Sequence, residues 1–378
     1  MELQLVMEIH LSGPDISQAE IDAVVAVMKT RHLSLGPKLP EFEKAFADYI
    51  GREYAVAVNS GTGALQLCLL ALGIGPGDEV ITTPFSFIAT TNVILMVGAW
   101  PVFVDIDPVT YNITAEAVAS KITDKTKAII PVEVFGNPAG IDRIYDRARQ
   151  RDIICVEDSC EALGSVVNGR RVGTLGEVST FAFYPNKQIT TGEGGMILTD
   201  DESVAQRCAS LRNQGRDAGA GWLAHARLGY NYRLSDINCA LGIAQLKRID
   251  EILAKRSQVA RWYHEILADE PRVITPVESD NCTISWFVYV VRLADEFSQE
   301  QRDKLLTLLR EQNIGCNNYF SPIHLQPFIA RQLGTKPGDF PITEKIAART
   351  LALPFYNKLS REEVEIVCQT VKSSLDKL

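Results

Sequence analysis

The chain has 378 residues, 46% of them hydrophobic and 22% charged, with a formal net charge of -9 and a pI near 5.2. That apolar content excludes global disorder, and the acidic balance excludes nucleic acid or an anionic membrane as the main partner while leaving room for a local basic pocket. The eight cysteines form no CxxC pair and several sit in apolar runs, which fits free thiols in a reducing cytoplasm rather than a disulfide framework.

At roughly 150 residues per domain, the length predicts two or three domains, or one large and one small. The first eight residues carry acids and no basic region, unlike a signal peptide. No apolar run reaches the roughly 18 residues that a membrane span needs.

In chain order, residues 14 to 30 read as a helix, capped by Asp15 or Ser17, with Ile21, Val24, Val25 and Met28 at helical spacing. A second helix turns Phe42, Ala45, Phe46 and Tyr49 inward and stops at Gly51. Tyr54 to Val58 is a short strand that runs into Asn59-Ser60-Gly61-Thr62-Gly63 and then a helix from Ala64. Strand, small-residue turn and helix make an anion site, because a helix N-terminus offers free N–H groups and a positive dipole end. An ordinary tight connection with a Ser/Thr cap reads the same way.

Strands follow at Glu79 to Thr83, Val102 to Ile106 and Ala128 to Val134, with helices between them. After the first of these, Pro84-Phe85-Ser86-Phe87 places two aromatics at a strand-to-helix junction, as core or as a plate for a flat ring. Asp152 to Asp158 is continuously apolar in its middle, as in a parallel sheet covered on both faces, and it ends in Glu157 and Asp158. Ligands in open parallel sheets bind outside the carboxyl ends of the strands. A helix cap is the other role for such an acid.

Glu177 to Phe183 is a strand leading through Tyr184-Pro185-Asn186 to Lys187, then a Thr190-Thr191-Gly192-Glu193-Gly194-Gly195 turn and a return strand at Met196. A lysine between buried segments is costly as an unpaired ammonium. One that becomes a neutral imine avoids part of that cost, and lysine forms Schiff bases with carbonyl cofactors. A strand-end lysine with its amine in water is the other reading. Arg212, Arg216 and Arg233 lie in loops after it, as surface residues or as diphosphate ligands. His10, His32, His225 and His264 show no metal-ligand spacing, and Trp222 and Trp286 read as packing.

Helices are expected from 237 to 246 and 249 to 267, then a strand at 288 to 293, a helix at 299 to 312, a loop around Pro322 to Pro327 and a closing helix from Arg361. Alternating βα units followed by this mix predict an α/β chain, with a doubly wound large domain over 1–250 and a smaller α/β domain over 251–378. A phosphate turn at Ser60 to Gly63, an aromatic plate at Phe87, an acid at Asp158 and a lysine at Lys187 are the groups needed to hold pyridoxal phosphate (PLP).

Those segments, with Gly229-Tyr230-Asn231-Tyr232-Arg233 and Pro322-Ile323-His324-Leu325-Gln326-Pro327, resemble the DegT/DnrJ/StrS group of sugar-nucleotide aminotransferases over nearly the whole chain. The resemblance implies the PLP-dependent transferase fold of the aspartate-aminotransferase type, with a mixed, mostly parallel seven-stranded sheet and a smaller C-terminal α/β domain. It implies that Lys187 forms the imine and shuttles the proton, Asp158 pairs the pyridine nitrogen, Phe87 stacks on the ring, and Ser60, Gly61 and Thr62 hold the phosphate. It further implies a homodimer in which Asn231 reaches the neighbouring subunit's cofactor, and a sugar-nucleotide site to which His324, Tyr184 and Arg233 contribute.

Two positions depart from the group's pattern. Ala182 stands where a phosphate-binding serine is common, and Glu161 stands where Gln or His is common. The implied reaction moves an amino group from L-glutamate to a nucleotide-linked keto sugar, and the Thr190 to Gly195 turn is similar to members acting at the sugar 4-position. A PLP sugar dehydratase is an alternative, but relatives of that kind replace the lysine with histidine. A non-catalytic PLP-binding regulator is another.

Overall fold

The computed structural model describes residues 8–219, 221 and 223–378; the signal-peptide question at the first residues and the Trp222 assignment lie outside them. The chain opens with α1 (Gln18–Met28) and α2 (Lys38–Ile50). Ser17 closes a capping box with Glu20 at the start of α1, and Gly51 ends α2 in the left-handed region at φ 93°. Then come β1 (Tyr54–Val58), α3 (Gly61–Ala71), β2 (Glu79–Thr82), α4 (Ala89–Met96), β3 (Trp100–Phe103), α5 (Ala115–Ala119), β4 (Thr126–Ile130), α6 (Ile141–Arg149) and β5 (Ile154–Asp158). A short hairpin of β6 (Val166–Val167) and β7 (Arg170–Arg171) precedes β8 (Val178–Ala182) and β9 (Gly195–Thr199).

Seven of these strands form one sheet in the order β1-β9-β8-β5-β4-β2-β3. The pairs β8–β5, β5–β4, β4–β2 and β2–β3 are parallel, while β9 runs antiparallel to both neighbours. Alternation sorts the side chains between the two faces. Val56, Val58, Val80, Ala128, Ile130, Val156 and Ile197 pack under α3, α4 and α7 (Glu202–Arg212). On the other face Ala57, Phe181, Met196 and Leu198 meet Phe42 and Phe46 of α2 and Ile243 of α8 (Asp236–Lys247), while Ile81, Ile129 and Cys155 meet Val118 of α5 and Ile144 of α6.

α8 passes at Arg248 into the long α9 (Ile249–Leu267), so the expected division near residue 250 falls in this helical passage. Beyond it lie β10 (Val273–Ile274), β11 (Cys282–Thr283), β12 (Tyr289–Leu293), α10 (Gln299–Glu311), α11 (Pro327–Leu333), α12 (Pro341–Ala347), β13 (Thr350–Leu353) and α13 (Arg361–Leu375). The antiparallel sheet β10-β12-β13 builds its own core with α9, α10 and α13 around Tyr263, Tyr289, Leu305, Leu351 and Val367. β11 pairs instead with β6, forming a separate three-stranded sheet, β11-β6-β7, with the hairpin that follows β5.

The α1 stripe faces outward. Ile21, Val25 and Met28 recur at helical spacing, yet all three are exposed. The helix lies on α8 through other residues and turns its most regular apolar face outward.

The acids at the end of β5 divide by the same alternation. Glu157 points away from the site and, instead of capping a helix, accepts the backbone N–H groups of Gly173, Leu175 and Gly176. Nearby, Glu133 is fully buried, and neither carboxyl oxygen has a hydrogen-bond partner. Burial, reinforced by the negative charge of Glu157, pushes its pKa well above the ordinary glutamate range. Above that ordinary range the unfolded chain ionises Glu133 while the folded chain keeps the proton, so folding stability is lost as pH rises toward the folded-state value. Glu133→Gln is therefore expected to raise the melting temperature by a few degrees at about pH 8 and by less at about pH 5. Equal shifts at both pH values in thermal denaturation would contradict this.

Candidate active site

The carboxyl ends of β1, β2, β4, β5 and β8 face one side of the sheet, and the reversed β9 brings its first residues to the same side. There they enclose a cavity of about 490 Å³. Its lining includes Ser60, Gly61, Thr62, Phe87, Asp158, Glu161, Ala182, Tyr184 and Lys187, so the sequence-predicted groups do converge.

Ser60 leaves β1 in an extended conformation and caps α3, its hydroxyl accepting the N–H of Gly63 at 3.0 Å. The turn at the start of α3 is tight. A β-carbon on Gly61 would lie 2.7 Å from Cβ of Ala182, and one on Gly195 would lie 2.5 Å from the carbonyl oxygen of Ser60. Glycine at these points lets the turn, β8 and the start of β9 close into a shallow cradle over a helix N-terminus, which suits a phosphate.

Asp158 is 5% exposed and points into the cavity. Thr90, near the start of α4, donates its hydroxyl to Asp158 Oδ2 at 2.7 Å, and the N–H of Cys160 lies 3.4 Å from Oδ1. Phe87 lies three residues before Thr90 and is 62% exposed, a ring held out on the cavity wall.

Lys187 Nζ lies 4.0 Å from the centroid of the Phe287 ring and 3.6 Å from Glu161 Oε1. The other oxygen of Glu161 accepts the N–H of Phe135 at 2.9 Å, and Phe135 holds the left-handed region at φ 58°. A bulky residue there is strained and is retained only where its surroundings fix it. The next residue, Gly136, shows the constraint, since a β-carbon on it would fall 2.0 Å from the carbonyl oxygen of Ser285. Burial lifts the pKa of Glu161 above the ordinary range, against the pull of Lys187 and the Phe135 N–H.

Three of the expected residues lie elsewhere. His324 is fully buried against Phe340, its Nε2 3.0 Å from Glu344 Oε1. It braces the segment before α12 and lies outside the cavity lining, because the turn at 323–325 packs its ring inward. Arg233 donates to Asn213 Oδ1 at 3.0 Å outside the cavity lining. Asn231 is exposed, also outside it, next to the Val58–Arg233 bridge. Of the arginines weighed for a diphosphate, Arg212 is 9% exposed and bound to Glu43 and the carbonyl of Ala57, a structural role.

Sequence reasoning missed Thr90, Phe287, Tyr319 and Phe320, which also line the cavity. Thr90 stands three residues beyond the Pro84-Phe85-Ser86-Phe87 stretch. The others come from segments more than a hundred residues beyond the phosphate turn and carry no local motif.

A lysine amine, a strand-end carboxylate, a ring on the wall and a helix-capped phosphate cradle around one cavity define a pyridoxal-phosphate enzyme. The residues present fit that cofactor: the cradle has space where side chains would close it, and Asp158 can face a protonated ring nitrogen. The model for the DegT/DnrJ/EryC1/StrS aminotransferase family matches residues 14–372, and the chain belongs to that family. It is 40% identical over 361 residues to the GDP-perosamine synthase of Caulobacter vibrioides, covering 95% of this chain and 96% of that one. It is 37% identical over 371 residues to the spore coat polysaccharide biosynthesis protein SpsC of Bacillus subtilis, covering 96% and 95%. The structure of Spr1654 from Streptococcus pneumoniae in its PLP-form superposes with a TM-score of 0.93 at 30% identity, over 98% of this chain and 99% of that one. The protein is thus a PLP-dependent sugar aminotransferase, with the fold that the resemblance implied.

Proposed function

We propose that the protein transfers an amino group from L-glutamate to the 4-position of a nucleoside-diphosphate-linked 4-keto-6-deoxyhexose in glycan biosynthesis in the cytoplasm. The observation that carries this reading is Lys187 Nζ poised over Phe287 in the same cavity as Asp158 and the Ser60–Thr62 cradle. The similarity to a GDP-perosamine synthase makes a GDP-linked sugar the first to test. Bound PLP supplies a carbonyl that carries the amino group and a ring that withdraws electrons. Lys187 would hold the cofactor through Nζ between turnovers, and that amine, once free, would carry the proton to and from the donor carbon. Asp158 would keep the proton on the ring nitrogen, and Phe87 would orient the ring from the wall. A lysine at position 187 favours transfer over the dehydratase alternative.

L-glutamate alone is expected to bleach the visible band of the bound cofactor and release 2-oxoglutarate, and the nucleotide-linked keto sugar to restore the band. A band that ignores glutamate while other amino donors bleach it would overturn the donor assignment.

Ala182 lines the cradle without a polar side chain. Ala182→Ser adds a hydroxyl there, worth about 1 kcal/mol or roughly fivefold in cofactor affinity. Titration of cofactor-free protein with PLP checks this, and an unchanged dissociation constant contradicts it.

We further propose a homodimer with shared sites. Among the described residues lining the cavity, Lys187 is the one cation, facing Asp158, Glu161 and Glu193, yet the cofactor phosphate, the sugar diphosphate and the donor carboxylates all need positive or donor groups. The exposed Ile21, Val25, Met28, Leu33 and Leu35 make an apolar surface suited to a second copy. It adjoins the Asn231 loop, since the N–H of Asp236 donates to the Leu33 carbonyl at 3.0 Å and that of Gly36 to Asp236 Oδ2 at 2.8 Å. If Asn231 serves the neighbour's site, mixing Lys187→Ala with Asn231→Asp subunits regenerates one intact site per mixed dimer. Activity absent from either variant alone is then expected in the mixture, and its absence in verified mixed dimers contradicts the shared site.

A further inference from the structure

Arg256 lies in the middle of α9, 3% exposed, and forms no ion pair with a carboxylate among the described residues. Its Nη1 donates to the carbonyl oxygens of Phe287 at 3.1 Å and Trp286 at 3.4 Å, and its Nη2 donates to the carbonyl oxygen of Lys187 at 3.0 Å. The guanidinium carbon stands 5.6 Å from the centroid of the Phe355 ring, and Nε has no partner. Burial draws its pKa down to about 10.

A buried guanidinium compensated by carbonyls alone is expensive, and an apolar side chain of similar length would fill the same space at lower cost. What the apolar side chain cannot do is join the two carbonyl-bearing segments. One carries Lys187 in the β8–β9 connection, and the other runs through Trp286 and Phe287 into β12. Their side chains meet in the cavity, with Lys187 Nζ 4.0 Å from the Phe287 ring centroid. Gln188 reinforces the junction, donating to the carbonyl oxygens of Glu161 at 2.7 Å and Ser285 at 3.0 Å.

We propose that Arg256 is a positioning residue that clamps the backbones of Lys187 and Phe287 into one unit, so that Nζ keeps its place between the Phe287 ring and Glu161 as it leaves and regains its bond to the cofactor. Arg256 touches neither cofactor nor substrate in this role; it acts through the lysine. A planar fork reaches both carbonyls at once, whereas the point donor of a lysine reaches one. The kinetic part of the test rests on the amino-transfer reading above, and the exchange part does not.

Arg256→Lys and Arg256→Met are compared with wild type as holoenzymes, normalised to cofactor content. Arg256→Lys is expected to lower kcat by roughly 10- to 100-fold, the scale of an ångström-level misplacement, with KM for both substrates within about twofold, since ground-state binding is untouched. Peptide-level amide exchange is expected to accelerate over residues 184–191 and 285–288 and nowhere else. Wild-type kcat in a folded Arg256→Lys protein would overturn the proposal, as would a loss explained wholly by missing cofactor or an exchange increase spread over the chain. If Arg256→Met does not fold, Arg256→Lys decides. If wild type itself transfers no amino group, the amino-transfer reading fails, and the location of the exchange change still decides the clamp.

Discussion

Replacing Lys187 with alanine is expected to lower amino transfer by on the order of 10^4-fold. The size follows from the two tasks that fall on one amine. In the proposed reaction Nζ would hold the cofactor between turnovers and, once released, would act as the base at the donor carbon. Among the described residues lining the cavity there is no second amine to replace it, the other titratable groups being Asp158, Glu161, Glu193, Cys160, Tyr184 and Tyr319. Burial pushes the Cys160 thiol well above its ordinary range, with Asp158 adding to the effect, so it does not supply a thiolate. Single-turnover kinetics with the preformed amino form of the cofactor would separate the tasks. Lys187→Ala should still bind that form and should fail at the proton step. Activity within tenfold of wild type would remove Lys187 from the mechanism.

Asp158→Asn is expected to cost on the order of 10²- to 10³-fold in kcat, with a smaller change in KM. The substitution keeps size and leaves Thr90 an oxygen to donate to, so the 2.7 Å contact survives. What disappears is the negative charge that, in the proposed reaction, would keep a proton on the ring nitrogen. A visible band shifted in position or pH dependence should accompany the loss. A kcat within threefold of wild type would mean that Asp158 serves only to hold Thr90 and the start of α4.

Much of this site was legible in sequence because it is built from strand ends. Each of β1, β5 and β8 is a short buried strand, and polar residues at or just beyond its end emerge at the carboxyl edge of the sheet. Ser60, Asp158 and Lys187 are such residues, and the glycines at 61 and 195 mark where backbones approach closely.

What local sequence leaves open has a common physical cause. His324 sits in a Pro-rich segment that sequence reads as a loop over the site, but tertiary packing against Phe340 and Glu344 turns the ring into the interior. Ile21, Val25 and Met28 have the spacing of a core face and lie outward, because periodicity shows that a face is apolar without saying what covers it. Phe287 and Arg256 reach Lys187 across 100 and 69 residues of chain, and no local pattern encodes that meeting. β13 was passed over as well. It is fully buried between Ala348 and Pro354 and bounded by no strong turn signal on its N-terminal side.

The most direct test of the account is transfer of labelled nitrogen. Holoenzyme is incubated with 15N-labelled L-glutamate and a GDP-linked 4-keto-6-deoxyhexose, and the sugar nucleotide is examined by mass spectrometry and NMR. The account predicts a sugar nucleotide carrying 15N at the 4-position, formed one for one with 2-oxoglutarate and absent with Lys187→Ala. A dehydrated sugar without nitrogen, or no transfer to any member of a panel of nucleotide-linked keto sugars by cofactor-loaded protein, would contradict it.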